Sequence, residues 1–200
     1  MPKKVNPTLI LTKVKVMKAE ITQLLNKDKS NVDSSFKLMK NAVARKDSEK
    51  LRSLAATIVK SRKRIVGFER INDALFNVSQ NSNDISNLAQ KDKNIAPQFL
   101  DDMTILSNVG PGVKLSSFTQ FYKEVICNLY PKTAIQQISG QDKLSPEMNA
   151  AFFSDAITND ELMNVYIEFS HDIPDQQERL EETLGFKLAP PATIPPPDFQ

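Results

Sequence analysis

Ala42-Val43-Ala44-Arg45-Lys46-Asp47-Ser48-Glu49-Lys50-Leu51-Arg52 is the stretch that decides the fold, because it reads as the end of one helix and the start of the next. Asp47-Ser48 offers an N-cap directly after Ala44-Arg45-Lys46, since a short oxygen-bearing side chain there can accept from the free N–H groups of a new first turn. Upstream, Ile10, Val14, Met17, Ile21 and Leu24 are spaced in alternating fours and threes, a helical seam with coiled-coil character, which Phe36, Met39 and Val43 resume. Downstream, Leu51, Leu54, Ala55, Ile58, Ile65, Phe68, Ile71, Leu75 and Phe76 carry an apolar face along a second helix. No proline falls between Pro7 and Pro97, and Gly67 is the only glycine there, so nothing breaks either helix. Asn6-Pro7 suits a helix start, with Asn as cap and Pro at the first helical position. Asp28 to Ser35 is polar and weak in helix propensity, and the first helix is expected to loosen there. Two long helices joined by so short a polar turn predict an antiparallel hairpin over about residues 8–86.

Beyond residue 80 the elements shorten. Pro97 to Leu106 reads as one short helix, Gly110-Pro111-Gly112 as a turn, and Leu115 to Leu129 as a helix stopped by Pro131. Ser145-Pro146 begins another, and Thr158-Asn159-Asp160-Glu161 has the capping-box spacing ahead of Leu162, Val165, Tyr166 and Phe169. Nothing alternates with period two for long enough to make a strand. Six of the twelve prolines lie at or beyond Pro174. Asp175 to Leu184 reads as one acidic helix, and Leu188 to Gln200 as an extended, solvated tail of polyproline type. The expectation is an all-α chain: a long antiparallel helical hairpin packed with shorter C-terminal helices over about 94–170, and a flexible proline-rich tail. Its core would span 1–172, with the acidic helix and tail over 173–200.

Composition narrows the function. Of 200 residues, 40% are hydrophobic and 25% charged, as in a soluble folded chain. No apolar run approaches the roughly 18–20 residues of a spanning helix. Met1-Pro2-Lys3-Lys4 is followed by no secretory apolar region, and the expected location is cytoplasmic. One cysteine, Cys127, leaves no disulfide framework or cysteine-rich zinc site, and one histidine, His171, leaves little for acid–base or metal chemistry. Cys127 reads as buried and inert, His171 as structural, and Asn108 to Gly112 lacks the Lys and Ser/Thr of a phosphate-binding loop. The expectation is a non-enzyme with no cofactor, no metal and no small-molecule substrate.

Charge is distributed unequally. Residues 1–70 carry 18 Lys/Arg against 6 Asp/Glu, whereas 71–200 carry 8 against 18. Such asymmetry points to an anionic partner for the basic half and lets the halves attract each other. At 100° per residue, Lys4, Lys15, Lys18, Lys29, Lys37 and Lys40 fall within roughly one 100° arc, away from the seam. On the second helix Arg52, Lys60, Lys63 and Arg70 cluster away from the apolar stripe. Each cation beside an acidic leaflet adds about 1 kcal/mol, so a ridge of Lys4, Lys15, Lys18, Lys29, Lys37, Lys40, Arg52, Lys63 and Arg70 would hold an anionic membrane without insertion. Nucleic acid is disfavoured, since stacking requires exposed aromatics and Phe36, Phe68 and Phe76 sit at core positions. A solvated helix face remains the alternative for the ridge, and a cytosolic adaptor binding only protein partners the alternative for the chain.

The run Ala42 to Arg52, followed by Ala55-Ala56-Thr57-Ile58-Val59-Lys60-Ser61-Arg62-Lys63-Arg64, resembles the junction between the first two helices of ESCRT-III proteins. Phe121-Tyr122-Lys123-Glu124-Val125, Leu144, Ala151 and Leu162 to Glu168 are similar to the later core of that family's increased-sodium-tolerance branch. The resemblance implies a membrane-remodelling subunit, peripheral on endosomal or other membranes, that self-assembles with other ESCRT-III subunits. It also implies a C-terminal motif docking into the microtubule-interacting-and-trafficking (MIT) domain of the Vps-type AAA ATPase. Arg179-Leu180 and Leu184 match the helical form of that motif in part, while Leu188-Ala189-Pro190-Pro191 and Ile194-Pro195-Pro196-Pro197 approach its extended form.

Overall fold

The computed structural model describes residues 7–80 and 154–188, and among these the secondary structure is helical throughout. Helix α1 runs Pro7–Ala44 and α2 runs Ser48–Gln80. After the gap, α3 spans Asn159–Asp172, a single 3-10 turn spans Pro174–Gln176, and α4 spans Gln177–Leu184. The short helices expected between residues 97 and 154 lie outside the described residues, as do residues 189–200 of the tail.

The turn between α1 and α2 closes as the sequence predicts, with one added feature. The amide of Asp47 donates to Ala42 O at 2.9 Å and that of Lys46 to Val43 O at 3.1 Å, the paired bonds of a Schellman ending. Lys46 supplies the left-handed residue, at φ 54°, where glycine is the usual choice. Asp47 then caps α2: its Oδ1 accepts from the Lys50 amide at 2.9 Å, and its carbonyl from the Leu51 amide at 3.0 Å.

The described residues fall into two compact units. Residues 7–29, 62–80 and 154–155 belong to the first; 30–61 and 156–188 belong to the second. In the first unit Val14, Met17, Ile21 and Leu25 are buried on α1, and Phe68, Ile71, Ala74, Leu75 and Val78 on α2. Leu25, not Leu24, carries the seam at that turn, Leu24 being half-buried. Phe76, expected in the core, is 49% exposed, with the Lys18 ammonium 5.1 Å from its ring centroid.

In the second unit one apolar core joins Met39, Ala42 and Val43 of α1, Leu51 to Val59 of α2, and Leu162, Val165, Tyr166, Phe169, Ile173, Leu180 and Leu188 of the C-terminal segment. Phe36 and Phe169 stack with centroids 6.3 Å apart. Three local devices fix the C-terminal elements. Thr158 and Glu161 form the predicted capping box, the Thr158 amide donating to Glu161 Oε2 at 2.8 Å and the Glu161 amide to Thr158 Oγ1 at 3.2 Å. Pro174 opens the 3-10 turn, so the acidic helix expected from Asp175 starts only at Gln177. Gly185, at φ 78°, ends α4 with its amide on Glu181 O, and the chain returns Leu188 to the core. Leu188 is therefore buried, not the first residue of a solvated tail.

The expected weak point of α1 also fails to appear. Helix α1 is continuous through Asp28 to Ser35, and both of these residues are buried in its seam. Asp28 is held by Arg64 of α2, whose Nε donates to Asp28 Oδ2 at 3.0 Å. Tertiary pairing thus overrides weak local propensity, as it does in most helices.

Candidate functional site

Two features stand out: the cations of the hairpin arms in the first unit, and the docked acidic segment at the hairpin tip in the second. In the first unit Lys15 and Lys29 are exposed, Lys29 with Glu69 at 3.7 Å. Lys18 is half-buried against Phe76, and Lys63 and Arg70 are half-buried too. On α2 the buried set moves from Leu51, Leu54 and Ile58 to Ile71, Ala74 and Val78, and at 100° per residue this rotates it toward the angle of Lys63 and Arg70. The expected line of four cations on α2 therefore reduces to exposed Arg52, with Lys60, Lys63 and Arg70 partly covered. On α1 the exposed members are Lys15, Lys29, Lys37 and Lys40, the last two in the second unit. Lys4 lies outside the described residues.

The tip of the hairpin is basic. Residues 30–61 hold seven Lys/Arg and three Asp/Glu, while 156–188 hold eight Asp/Glu and two Lys/Arg. The acidic segment binds the tip by three kinds of contact. Leu180, wholly buried, and Leu188 enter the shared core, with Leu184 packed against it. Lys46 Nζ donates to Glu182 Oε2 at 2.7 Å. Arg179 Nη2 donates to the carbonyl oxygen of Ala44, the last residue of α1. Arg179 thus adds from α4 a cation at the C-terminus of α1, where positive charge is favoured and where Arg45 and Lys46 already follow in sequence. The Glu181 side chain, accepting from the Leu188 amide at 3.1 Å, then folds the chain after Gly185 back onto the tip.

Electrostatics follow this geometry. The hydrogen bond and charge of Lys46 hold the Glu182 carboxyl below its ordinary value, Arg179 adds to this, and slight desolvation opposes it. Burial pushes the Tyr166 hydroxyl up, offset in part by the charge of Arg52. Among the described residues no group of three or more His, Cys, Asp or Glu side chains is arranged to hold a metal ion, and no helix is long and apolar enough to cross a membrane. His171 is exposed in the last turn of α3, and Cys127 lies outside the described residues.

Of the tail positions expected to dock an ATPase, Leu180, Leu184 and Leu188 pack into the chain's own core. Pro190, Pro191, Ile194, Pro195 and Pro196 lie outside the described residues. Sequence reading did not single out Lys46, Arg179 as a cap, or Glu182. One usable signal was present: a lysine, Lys46, at the turn position where glycine is usual. Comparison with protein-family models, with curated proteins and with solved structures finds no match.

Proposed function

We propose that this chain is a non-enzymatic, ESCRT-III-like subunit, peripheral on endosomal or other membranes. It binds anionic lipid through its basic hairpin, self-assembles into membrane-remodelling filaments with related subunits or regulates them, and is released by a Vps-type AAA ATPase. The observation that carries this reading is the acidic C-terminal segment seated on the basic tip through Lys46–Glu182, Arg179–Ala44 and Leu180. A segment so placed neutralises the tip in the closed monomer. Its departure uncovers a positive surface and frees Leu180, Leu184 and Leu188 for the ATPase's MIT domain.

Vesicle sedimentation tests the reading. A chain truncated after Asn87 is expected to sediment with phosphatidylserine vesicles more than the full chain does, and to lose that binding steeply with salt. Charge reversal of Lys15, Lys29, Lys37 and Lys40 is expected to abolish it, and negative-stain images of the truncated chain with vesicles to show filaments or coated tubes. Equal sedimentation of truncated and full chains overturns the closed state. Indifference to charge reversal overturns the lipid-binding surface and leaves an adaptor that binds only protein partners.

A further inference from the structure

Seven consecutive residues, Ala44 to Lys50, are exposed, the longest such run among the described residues. They form the turn between α1 and α2, and one of them is a serine, Ser48, the first residue of α2. The cap of α2 is the Asp47 carboxylate, which accepts from the Lys50 amide, so the Ser48 hydroxyl is not used there. Of the chain's six arginines, only Arg45 is followed three places later by a serine or threonine, and that residue is Ser48. Lys46 stands between them, giving Arg45-Lys46-Asp47-Ser48.

An arginine three places before a hydroxyl, with a second cation beside it, is the pattern that protein kinases with acidic substrate grooves select. Both cations pair with carboxylates flanking the acceptor position, and the planar guanidinium does so bidentately. Such a groove takes its substrate extended. The turn meets that demand because Arg45, Lys46 and Asp47 lie between the two helices. What holds them is capping: Lys46 to Val43 O, Asp47 to Ala42 O, and the Lys50 and Leu51 amides on Asp47. Straightening the stretch gives up bonds at two helix ends, where opening is least costly, and relaxes the left-handed backbone of Lys46.

We propose that Ser48 is a phosphorylation site, labelled by an arginine-directed protein kinase, and that a phosphate there loosens α4 from the hairpin tip. In the step, Ser48 Oγ bonds to the γ-phosphorus of a nucleoside triphosphate, and the bond from that phosphorus to the β–γ bridging oxygen breaks. The hydroxyl proton passes to the kinase's base, and a nucleoside diphosphate leaves. The phosphoserine carries about 1.5–2 negative charges at neutral pH. From Ala44 to Arg52 the cations Arg45, Lys46, Lys50 and Arg52 face only Asp47 and Glu49, so one phosphate cancels the surplus of two. It also stands two positions from Lys46, offers that ammonium a stronger anion than Glu182, and repels the Glu182 carboxylate. The site does not depend on the membrane reading, since it uses only the exposed turn and the seated α4.

The test incubates the full chain with ATP and the catalytic subunit of cyclic-AMP-dependent protein kinase, an arginine-directed enzyme, and maps the label by mass spectrometry. One phosphate is expected, on Ser48. Ser48→Ala is expected to lose it, and Arg45→Gln to lose most of it with helicity and melting temperature unchanged, both positions being exposed. In the phosphorylated wild type the amides of residues 177–188 are expected to exchange about two- to five-fold faster, the worth of one exposed ion pair, while those of 159–172 are unchanged. No label, label mainly on Ser53 or another residue, or label on Ser48 that Arg45→Gln leaves intact overturns the site. Label on Ser48 with unaltered or slower exchange in 177–188 overturns the loosening of α4.

Discussion

Lys46 holds a left-handed backbone that a side chain with a Cβ adopts only at a cost of roughly 1 kcal/mol, and glycine is the common occupant of this place in a Schellman turn. Its side chain spends that cost on a 2.7 Å contact with Glu182, an exposed pair of small worth to global stability. Relief of backbone strain and loss of the pair are therefore expected to separate in Lys46→Gly. The variant should gain about 0.5–1 kcal/mol against urea through the hairpin turn. At the same time the amides of residues 177–188 should exchange faster, because α4 loses a contact to the tip. Hydrogen exchange and urea unfolding on one preparation check both. A variant that loses stability without faster exchange in α4 would show that Lys46 matters for the turn alone.

Between elements, the seam of α1 and α2 is interrupted by polarity. On α1 no hydrophobic side chain is buried between Leu25 and Met39, and on α2 none between Val59 and Phe68; Asp28, Ser35 and Ser61 are the buried polar residues of those intervals. A buried ion pair in a seam costs stability and fixes register, because only one alignment brings Arg64 to Asp28. Arg64 remains 45% exposed while Asp28 is 5% exposed, so the carboxylate bears more of the desolvation. Arg64→Ala is expected to cost about 1–3 kcal/mol, removing a charged hydrogen bond from a buried carboxylate. Asp28→Leu is expected to be neutral or stabilising, since it continues the apolar seam without leaving a charge behind. Urea melts of the two variants distinguish the cases, and a larger loss in Asp28→Leu would contradict this account. The same interval shows what the sequence could reveal. The caps at Asp47 and Thr158, the seam from Val14 to Ile21 and the turn at Ala44 to Ser48 rest on local chemistry, and all were legible. Asp28 to Ser35 reads locally as a break, because what holds it is distant in sequence: Arg64, 36 positions away, pairs with Asp28, and Val32 packs against a core that includes the C-terminal helices. Leu188 was misread for a similar reason: Gly185 and Glu181 return it to a core assembled from sequence far upstream.

Across the whole molecule the +12 and −10 charges of the two sequence segments predict mutual attraction, and among the described residues the second unit shows such a contact at the tip. Composition gave the sign of that contact but not its residues, since nothing in a helix's own pattern announces which distant guanidinium will meet its last carbonyl. How the contact responds to pH follows from Glu182. Its folded-state value is depressed below the ordinary 4.5, so its contribution is fully present above that value and disappears as pH falls through the lower folded one. Over the neutral range the latch is therefore insensitive to pH, and salt, which screens an exposed pair, is the lever that weakens it. Glu182→Gln keeps the shape and removes the titrating group. The stability gap between the wild type and this variant is expected to hold constant from about pH 8 to 5.5, to narrow as pH drops below about 4.5, and to shrink at neutral pH on addition of about 0.5 M NaCl. Urea unfolding across that grid measures it. A gap that persists at low pH would mean that the glutamate acts through packing, and the tip would then be held by Leu180 and Arg179 without a titratable latch.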